Sequence, residues 1–539
     1  MRESLHPFAF LAPVGFFLLL FGLLPVAVLF GAGVASEGGV AGVARVLADP
    51  LNAAALRNSL LQGSLSALGA FLVGYPVGLF LGRHEWRGRR LVQGLLLVPF
   101  LLPSLVVVLA VQALFGPAGY LGTSAPALRI LGEGVGGIVA VNVLFNLPVV
   151  ALLTAVGVES SSSALEETAL TLGASPARAY RDVWGLPSLV GAAAGALLTF
   201  LFSALAFAAP ILLCGPRCYT LEARVFSLAT ILLDPAAASV LALLMVAFLA
   251  APAALYLFVV YRLRRRAGAS RRRRVVWRNP ATMLLASLSA IVVGGIVLVL
   301  GVILGRSILP TRPGGPWGDS WSALLSPRVP AALGISLGGA LVNTLLFATA
   351  AALLALLLGV VTGHATTRRP RAGQTVQFLL FLPLLLSPVV LAFALAQFWR
   401  PLLGGESAVW LLILLSQAML ALPFALQTLQ VALLRLPSGP RESARLLGAS
   451  PFRAYVDADL PALGGALIAA TLFAFAIGLG EFTATYFLAT PAFTTLPVLL
   501  YDLDGIRQVA AANAAAAVLL LVSLGVLLAI ALGGRRVEL

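Results

Sequence analysis

Apolar residues along this chain come in long uninterrupted blocks separated by short arginine-bearing loops, a pattern with neither the alternation of strands nor the narrow stripe of surface helices. Six blocks fall near 9–31, 60–82, 91–115, 136–157, 189–213 and 236–260, and six more near 281–305, 337–361, 375–399, 408–432, 462–488 and 513–533. Each predicts a membrane-spanning helix, which needs roughly 20 apolar residues because the bilayer core leaves no water for unpaired N–H or C=O groups. Eleven of the twelve blocks contain no Asp, Glu, Lys, Arg or His, and the twelfth holds Glu481. The expected fold class is therefore all-α, a polytopic membrane protein of twelve transmembrane helices. The first block is too long for a signal peptide's apolar stretch and is flanked only by Arg2 and His6, so it reads as a retained helix.

Composition fits this reading. Charged residues are 10% of the 539, against about 25% in soluble domains. Two cysteines exclude a disulfide scaffold. The net charge is +15, and all 35 basic residues are arginine. With the N-terminus inside, 25 of the 35 arginines fall in inner segments, while the acids divide ten and ten. The positive-inside rule thus places both termini on the cytoplasmic side of a multi-pass protein, whose expected location is a bacterial cell (inner) membrane. The densest basic stretch, YRLRRRAGASRRRRVVWR (261–278), lacks the aromatic interleaving that stacks bases, so lipid headgroups rather than nucleic acid are its expected partner.

That stretch divides the chain into similar halves. LEETALTLGASPARAYRDVWGLPSL (165–189) returns as PRESARLLGASPFRAYVDADLPAL (440–463), with Leu172–Pro176 identical to Leu447–Pro451 and Arg178–Tyr180 identical to Arg453–Tyr455. Pro148 precedes Gly173 by 25 residues, and Pro423 precedes Gly448 by the same 25. Asn58-Ser59-Leu60 matches Asn343-Thr344-Leu345 upstream. Two tandem six-helix units follow: 1–260, a cytoplasmic linker 261–280, and 281–539.

Both copies of the repeated block lie on the inner loop after the fourth helix of their half, and their chemistry reads helix–turn–helix. Ser163 and Glu166 have the spacing of a capping box, and Glu442 follows Pro440 at the start of the second copy. Gly173 and Gly448 stand where a left-handed residue ends a helix. Ser175-Pro176 and Ser450-Pro451 pair an N-cap with a first-turn proline. Tyr180 and Tyr455 add an aromatic to what reads as a docking element for a partner's groove.

This loop resembles the EAA loop of ABC-importer permeases, E-A-A then three residues, G, and later a hydrophobic residue, x, L-P. The matches are Glu167, Ala169, Gly173 and Leu186-Pro187, then Glu442, Ala444, Gly448 and Leu460-Pro461, with Thr168 and Ser443 in place of the first alanine. The first copy has 14 residues from glycine to proline, where the second has 13. VLFNLPVVALL (143–153), LFGPAGYLG (114–122), DPAAASVLALLMV (234–246) and AFTTLPVLLYDLDG (492–505) resemble fused permeases of the thiamine and ferric-iron branch. The resemblance implies type I importer units whose loops, including Ser175, Tyr180, Ser450 and Tyr455, couple to two copies of a cytoplasmic ATP-binding subunit. It also implies an extracytoplasmic solute-binding protein delivering the cargo, thiamine first and ferric iron next, with ATP-driven closure rocking one half against the other.

The chain itself is expected to bind no cofactor and to catalyse nothing. A Walker A loop needs a lysine on the phosphates, and the sequence has none, so ATP and Mg belong to the partner subunits. Glu481, in GLGEFTATYF (478–487), is the pathway candidate, either a contact for a cationic substrate or gate, or a carboxylate snorkelling outward or bonded between helices. Asn146, Gln417 and Gln427 are expected to bond between helices. Prolines 99, 103, 383 and 388 mark broken or kinked spans. Cys214 and Cys218 in CGPRC admit a small disulfide or, less readily, a metal site. The rival reading is a twelve-helix secondary transporter of the major-facilitator kind, which has basic loops at 82–90 and 364–373 but no use for paired EAA loops.

Overall fold

The computed structural model describes residues 8–264, 273–274, 279–311, 315–366, 386–433, 436–437 and 439–533. Ten of its helices are long and apolar enough to cross a membrane, and a bent pair, Phe452–Ala462 with Gly464–Gly480, makes an eleventh. The predicted block 375–399 is described only from 386, where the shorter apolar helix Pro388–Leu403 takes over; Pro383 lies outside the described residues. The predicted block 91–115 is interrupted. Leu102 and Pro103 are extended, so the helix Arg89–Leu101 stops and a new one, Ser104–Phe115, begins. Proline's missing N–H and its effect on the preceding residue enforce that break. Pro388 instead starts its helix, with the Ser387 hydroxyl accepting the Val390 N–H at 3.0 Å. The strand pairing recorded among the described residues is short, His84–Glu85 beside Arg273–Arg274.

Packing divides the chain into two compact units that are not contiguous halves. One comprises Val40–Leu228 and Val240–Arg306; the other comprises Met1–Gly39, Ala229–Ser239 and Ser307–Leu539. The opening span of each sequence half is thus grouped with the body of the other half. Hydropathy cannot foresee that exchange, because it reports length and not neighbours.

In the first unit, α1 (Pro50–Arg83) packs on α2 (Gly134–Glu159). The α1 helix starts ten residues earlier than its apolar block, because the Asp49 carboxylate caps the N–H groups of Leu51 and Asn52 at 2.8 and 3.0 Å and Pro50 suits the first position. Gly74, Gly78 and Gly82 form a small-residue stripe on α1, and a Cβ at Gly82 would meet Val158 at 2.8 Å. Close backbone approach of this kind replaces the hydrophobic drive that helices lack in lipid. After α2 come α3 (Ser163–Thr171), α4 (Pro176–Ala179) and α5 (Leu186–Ala204).

The second unit repeats the order with α6 (Leu337–Thr366), α7 (Gly405–Leu433), α8 (Gly439–Leu446), α9 (Pro451–Ala454), α10 (Gly464–Gly480) and α11 (Thr483–Leu488). Phe347, Leu412, Met419 and Ala470 are buried together at its centre, and Val14, Phe17 and Leu18 of the N-terminal span join them. Phe21 continues that contact, its ring 5.5 Å from Trp399.

Candidate functional site

The two repeated loops fold alike where they repeat. At the end of α3, the Gly173 N–H donates to Leu170 O and the Ala174 N–H to Ala169 O, both at 3.0 Å. At the end of α8, Gly448 donates to Arg445 O and Ala449 to Ala444 O, again both at 3.0 Å. These are Schellman closures, which need a left-handed residue. Gly173 has φ +85° and Gly448 φ +90°. Each chain then restarts under a serine cap, Ser175 Oγ accepting the Arg178 N–H at 3.3 Å and Ser450 Oγ accepting the Arg453 N–H at 3.2 Å. On the solvent side, Arg178 and Asp182 lie 4.0 Å apart, as Arg453 and Asp457 lie 3.4 Å apart. Glu167 and Glu442 are exposed, and Ala169 and Ala444 are half-buried against the turn.

Two expectations need correction. Ser163 and Glu166 form no capping box: Ser163 is already helical, and Glu166 is buried with Arg83 of α1 at 2.8 Å. A guanidinium offered by another helix outcompetes the local N–H for that carboxylate. Neither tyrosine stands freely exposed at the loop tip. Tyr455 is buried and donates its hydroxyl to Val360 O at 3.0 Å. The Tyr180 hydroxyl lies 3.3 Å from the Tyr75 hydroxyl, and the Arg83 guanidinium sits 5.7 Å from both the Tyr180 and Trp184 rings. Both rings anchor the loop to its own spans.

The exposed apolar surface comes instead from leucines that composition had hidden. Leu172 is 82% exposed and Leu447 is 89% exposed, each directly before the left-handed glycine. Leu446, Leu165 and Phe452 extend these faces. Leu172 and Leu447 open the identical five-residue blocks, which was the available signal.

A second matched geometry lies after α5 and α11. Asn58 donates to Arg217 O and Tyr219 O at 3.1 and 3.2 Å, and Asn343 donates to Ala492 O and Thr494 O, both at 3.0 Å. The next residue completes the hold: Ser59 Oγ accepts the Leu221 N–H at 2.9 Å, and Thr344 Oγ accepts the Leu496 N–H at 2.7 Å. The repeated Asn-Ser-Leu and Asn-Thr-Leu are thus latches on the segment that follows the fifth span of each half. Cys214 and Cys218, just ahead of the first latch, are disulfide-bonded. Among the described residues no group of three His, Cys, Asp or Glu is placed to hold a metal.

Glu481 does not snorkel. It sits buried at the break between α10 and α11, accepting the N–H groups of Ala484 and Thr485 at 2.7 and 2.8 Å and the Thr485 hydroxyl at 2.5 Å. Gln417 reaches the same Thr485 hydroxyl at 3.1 Å, an interhelical bond as expected. Asn146 bonds within its own helix, to Asn142 O at 2.9 Å, and Gln427 is exposed. In the first unit Asn142 makes an interhelical amide bond, donating to Gln62 Oε1 at 2.7 Å, and Gln62 in turn donates to Ser203 O. Asn142 and Gln417 both stand six residues before the paired prolines Pro148 and Pro423. Beyond Glu481 the rings of Phe482, Tyr486 and Tyr501 cluster at 4.7 to 5.3 Å, and burial pushes the adjoining Asp502 carboxyl up to about 6.

Residues 74–269 and 355–538 each match the family model described as "Binding-protein-dependent transport system inner membrane component". The chain is 24% identical to "Thiamine transport system permease protein ThiP" of Escherichia coli (strain K12), covering 84% of this chain and 83% of the relative. It is 26% identical to the protein of the same name from Brucella suis biovar 1 (strain 1330), covering 83% and 82%. It is 31% identical to "Molybdate/tungstate transport system permease protein WtpB" of Pyrococcus furiosus, covering 37% of this chain and 74% of the relative.

Proposed function

Because the chain belongs to the family of binding-protein-dependent transport system inner membrane components, we propose that its two loops dock two copies of a cytoplasmic ATP-binding subunit and that its cargo is thiamine. Family membership also removes the major-facilitator reading, in which the duplicated loop had no role. The observation that carries the docking proposal is the duplication itself: two helix–glycine–helix turns with matching hydrogen bonds, each presenting an exposed leucine. A connection serving only to join spans has no need of that repeated apolar tip.

In this reading Glu167, Ala169, Gly173 and Ser175 shape the first docking element, and Glu442, Ala444, Gly448 and Ser450 shape the second. Tyr180 and Tyr455 transmit its movement to the spans they touch. ATP binding and hydrolysis occur in the partners, which close and pull on both loops. Both termini and the loops lie in the cytoplasm, in keeping with the arginine distribution. An extracytoplasmic solute-binding protein delivers the cargo at the opposite face, where the Asn58 and Asn343 latches hold the segments it would meet.

Thiamine leads because relatives that this chain covers over four-fifths of their length carry that name and because clustered aromatic rings, those of Phe482, Tyr486 and Tyr501, suit a cationic heterocycle. Glu481 serves this path by holding the break between α10 and α11 rather than by touching the cargo. Uptake by proteoliposomes carrying the permease, its ATP-binding subunit and its binding protein tests the assignment, with labelled thiamine, ferric iron and molybdate compared. ATP-dependent accumulation of thiamine alone is the expected result; accumulation of either other cargo in its place would overturn the substrate.

A further inference from the structure

The first unit contains a groove of about 670 Å³ between the end of α1 and the Pro280–Ile308 helix. Phe80, Trp86 and Val92 line one side, and the face running from Ala286 to Val297 lines the other. That face is roughly 16 Å long at the helical rise of about 1.5 Å per residue. Its serines have spent their hydroxyl protons, since Ser287 and Ser289 donate to Met283 O and Leu285 O of their own helix, both at 2.8 Å. Trp86 stacks near Phe80, ring centroids 4.4 Å apart, and closes one end.

That end is cationic. Residues 83–90 hold four arginines and one acid, Glu85. Arg83 and Arg89 are paired with Glu166 and Glu159 at 2.8 and 3.0 Å, whereas Arg87 and Arg90 are exposed. The strand His84–Glu85 pairs with Arg273–Arg274, bringing the backbone of those two residues beside the same end. Burial keeps the His84 imidazole below its ordinary value, so the positive charge at this end belongs to the arginines.

An apolar channel of acyl-chain length, ended by an interfacial tryptophan and exposed guanidinium groups, is complementary to one kind of molecule. We propose that this groove is a binding site for an anionic phospholipid, with one acyl chain lying along Ala286–Val297 and the phosphate held at Arg87 and Arg90. The bilayer depth of the lining and the positive end favour lipid over a peptide, and the charge favours an anionic headgroup over a zwitterionic one.

The test is native mass spectrometry of the full-length permease released from nanodiscs made of equal phosphatidylglycerol and phosphatidylcholine. Wild type should retain phosphatidylglycerol in preference, by roughly thirty-fold for two surface arginines at about 1 kcal/mol each. Arg87→Gln with Arg90→Gln should keep bound lipid but bring the ratio near one. Gly294→Phe should displace both lipids, because a Cβ there meets nothing within 4 Å and the ring would fill the groove. A wild-type ratio near one, a ratio unmoved by the arginine pair, or undiminished lipid in Gly294→Phe would each overturn the site. Should Gly294→Phe fail to fold, the arginine pair, which alters only exposed side chains, decides the question.

Discussion

The two repeated loops share their tips and differ in their roots. Up to the conserved Arg-x-Tyr they match hydrogen bond for hydrogen bond. Beyond it the first copy, with its one additional residue, runs through a wide turn at Tyr180–Gly185 straight into a helix spanning Pro176–Ala204. The second passes through Tyr455–Asp459 and bends by 78° before Gly464–Gly480. An inserted residue advances a helix by about 100° and 1.5 Å, enough to change which face meets the next span. The anchors differ accordingly. The first loop is tied to α1 by Arg83 with Glu166, whereas the second is held within itself by Arg441 with Asp459 at 3.2 Å and by Tyr455 on α6. What was kept through divergence is the surface a partner would meet, and what drifted is the attachment to the permease body.

Gly173→Val and Gly448→Val would break the shared part and should have the largest effect. A β-branched residue in the left-handed region costs on the order of 1–3 kcal/mol, so each variant should lower uptake about ten-fold while membrane insertion persists. Proteoliposome uptake alongside ATPase activity checks this. Full substrate-stimulated ATPase and uptake in either variant would show that the two tips are not equivalent.

Arg83→Ala and Arg441→Ala sharpen the difference between the roots. Each leaves a buried carboxylate without its guanidinium, a cost of about 1–3 kcal/mol. Arg83→Ala also removes the cation beside Tyr180 and Trp184, so its thermal stability and uptake should fall further than those of Arg441→Ala. Equal losses would mean the anchors are interchangeable. Asn58→Ala and Asn343→Ala should bring the smallest change, about 1 kcal/mol each. Because their latches match, the two should expose the segments at 217–221 and 492–496 to protease equally.

The tips were legible in the sequence because they are local and occur twice: a glycine after a helical run and Ser-Pro two residues on permit few conformations. The roots were not. Glu166 reads as a capping residue until Arg83 arrives from another helix, and an aromatic such as Tyr455 suits either docking or packing. Asn142 escaped notice because Asn146, on the same span, has the same chemistry; only its register with Gln417 before the paired prolines marks it. The exchange of opening spans between packing units left no trace in hydropathy, since Phe17 and Phe21 are as apolar as residues facing lipid.

Binding of the ATP-binding subunit to the exposed tips can be read from co-purification of that subunit with the permease carrying Leu172→Asp and Leu447→Asp together, both at exposed positions where folding is not at stake. Each single variant should retain a reduced amount of the subunit and the double variant none, with the permease still monodisperse. Wild-type recovery of the subunit with the double variant would contradict binding at the tips.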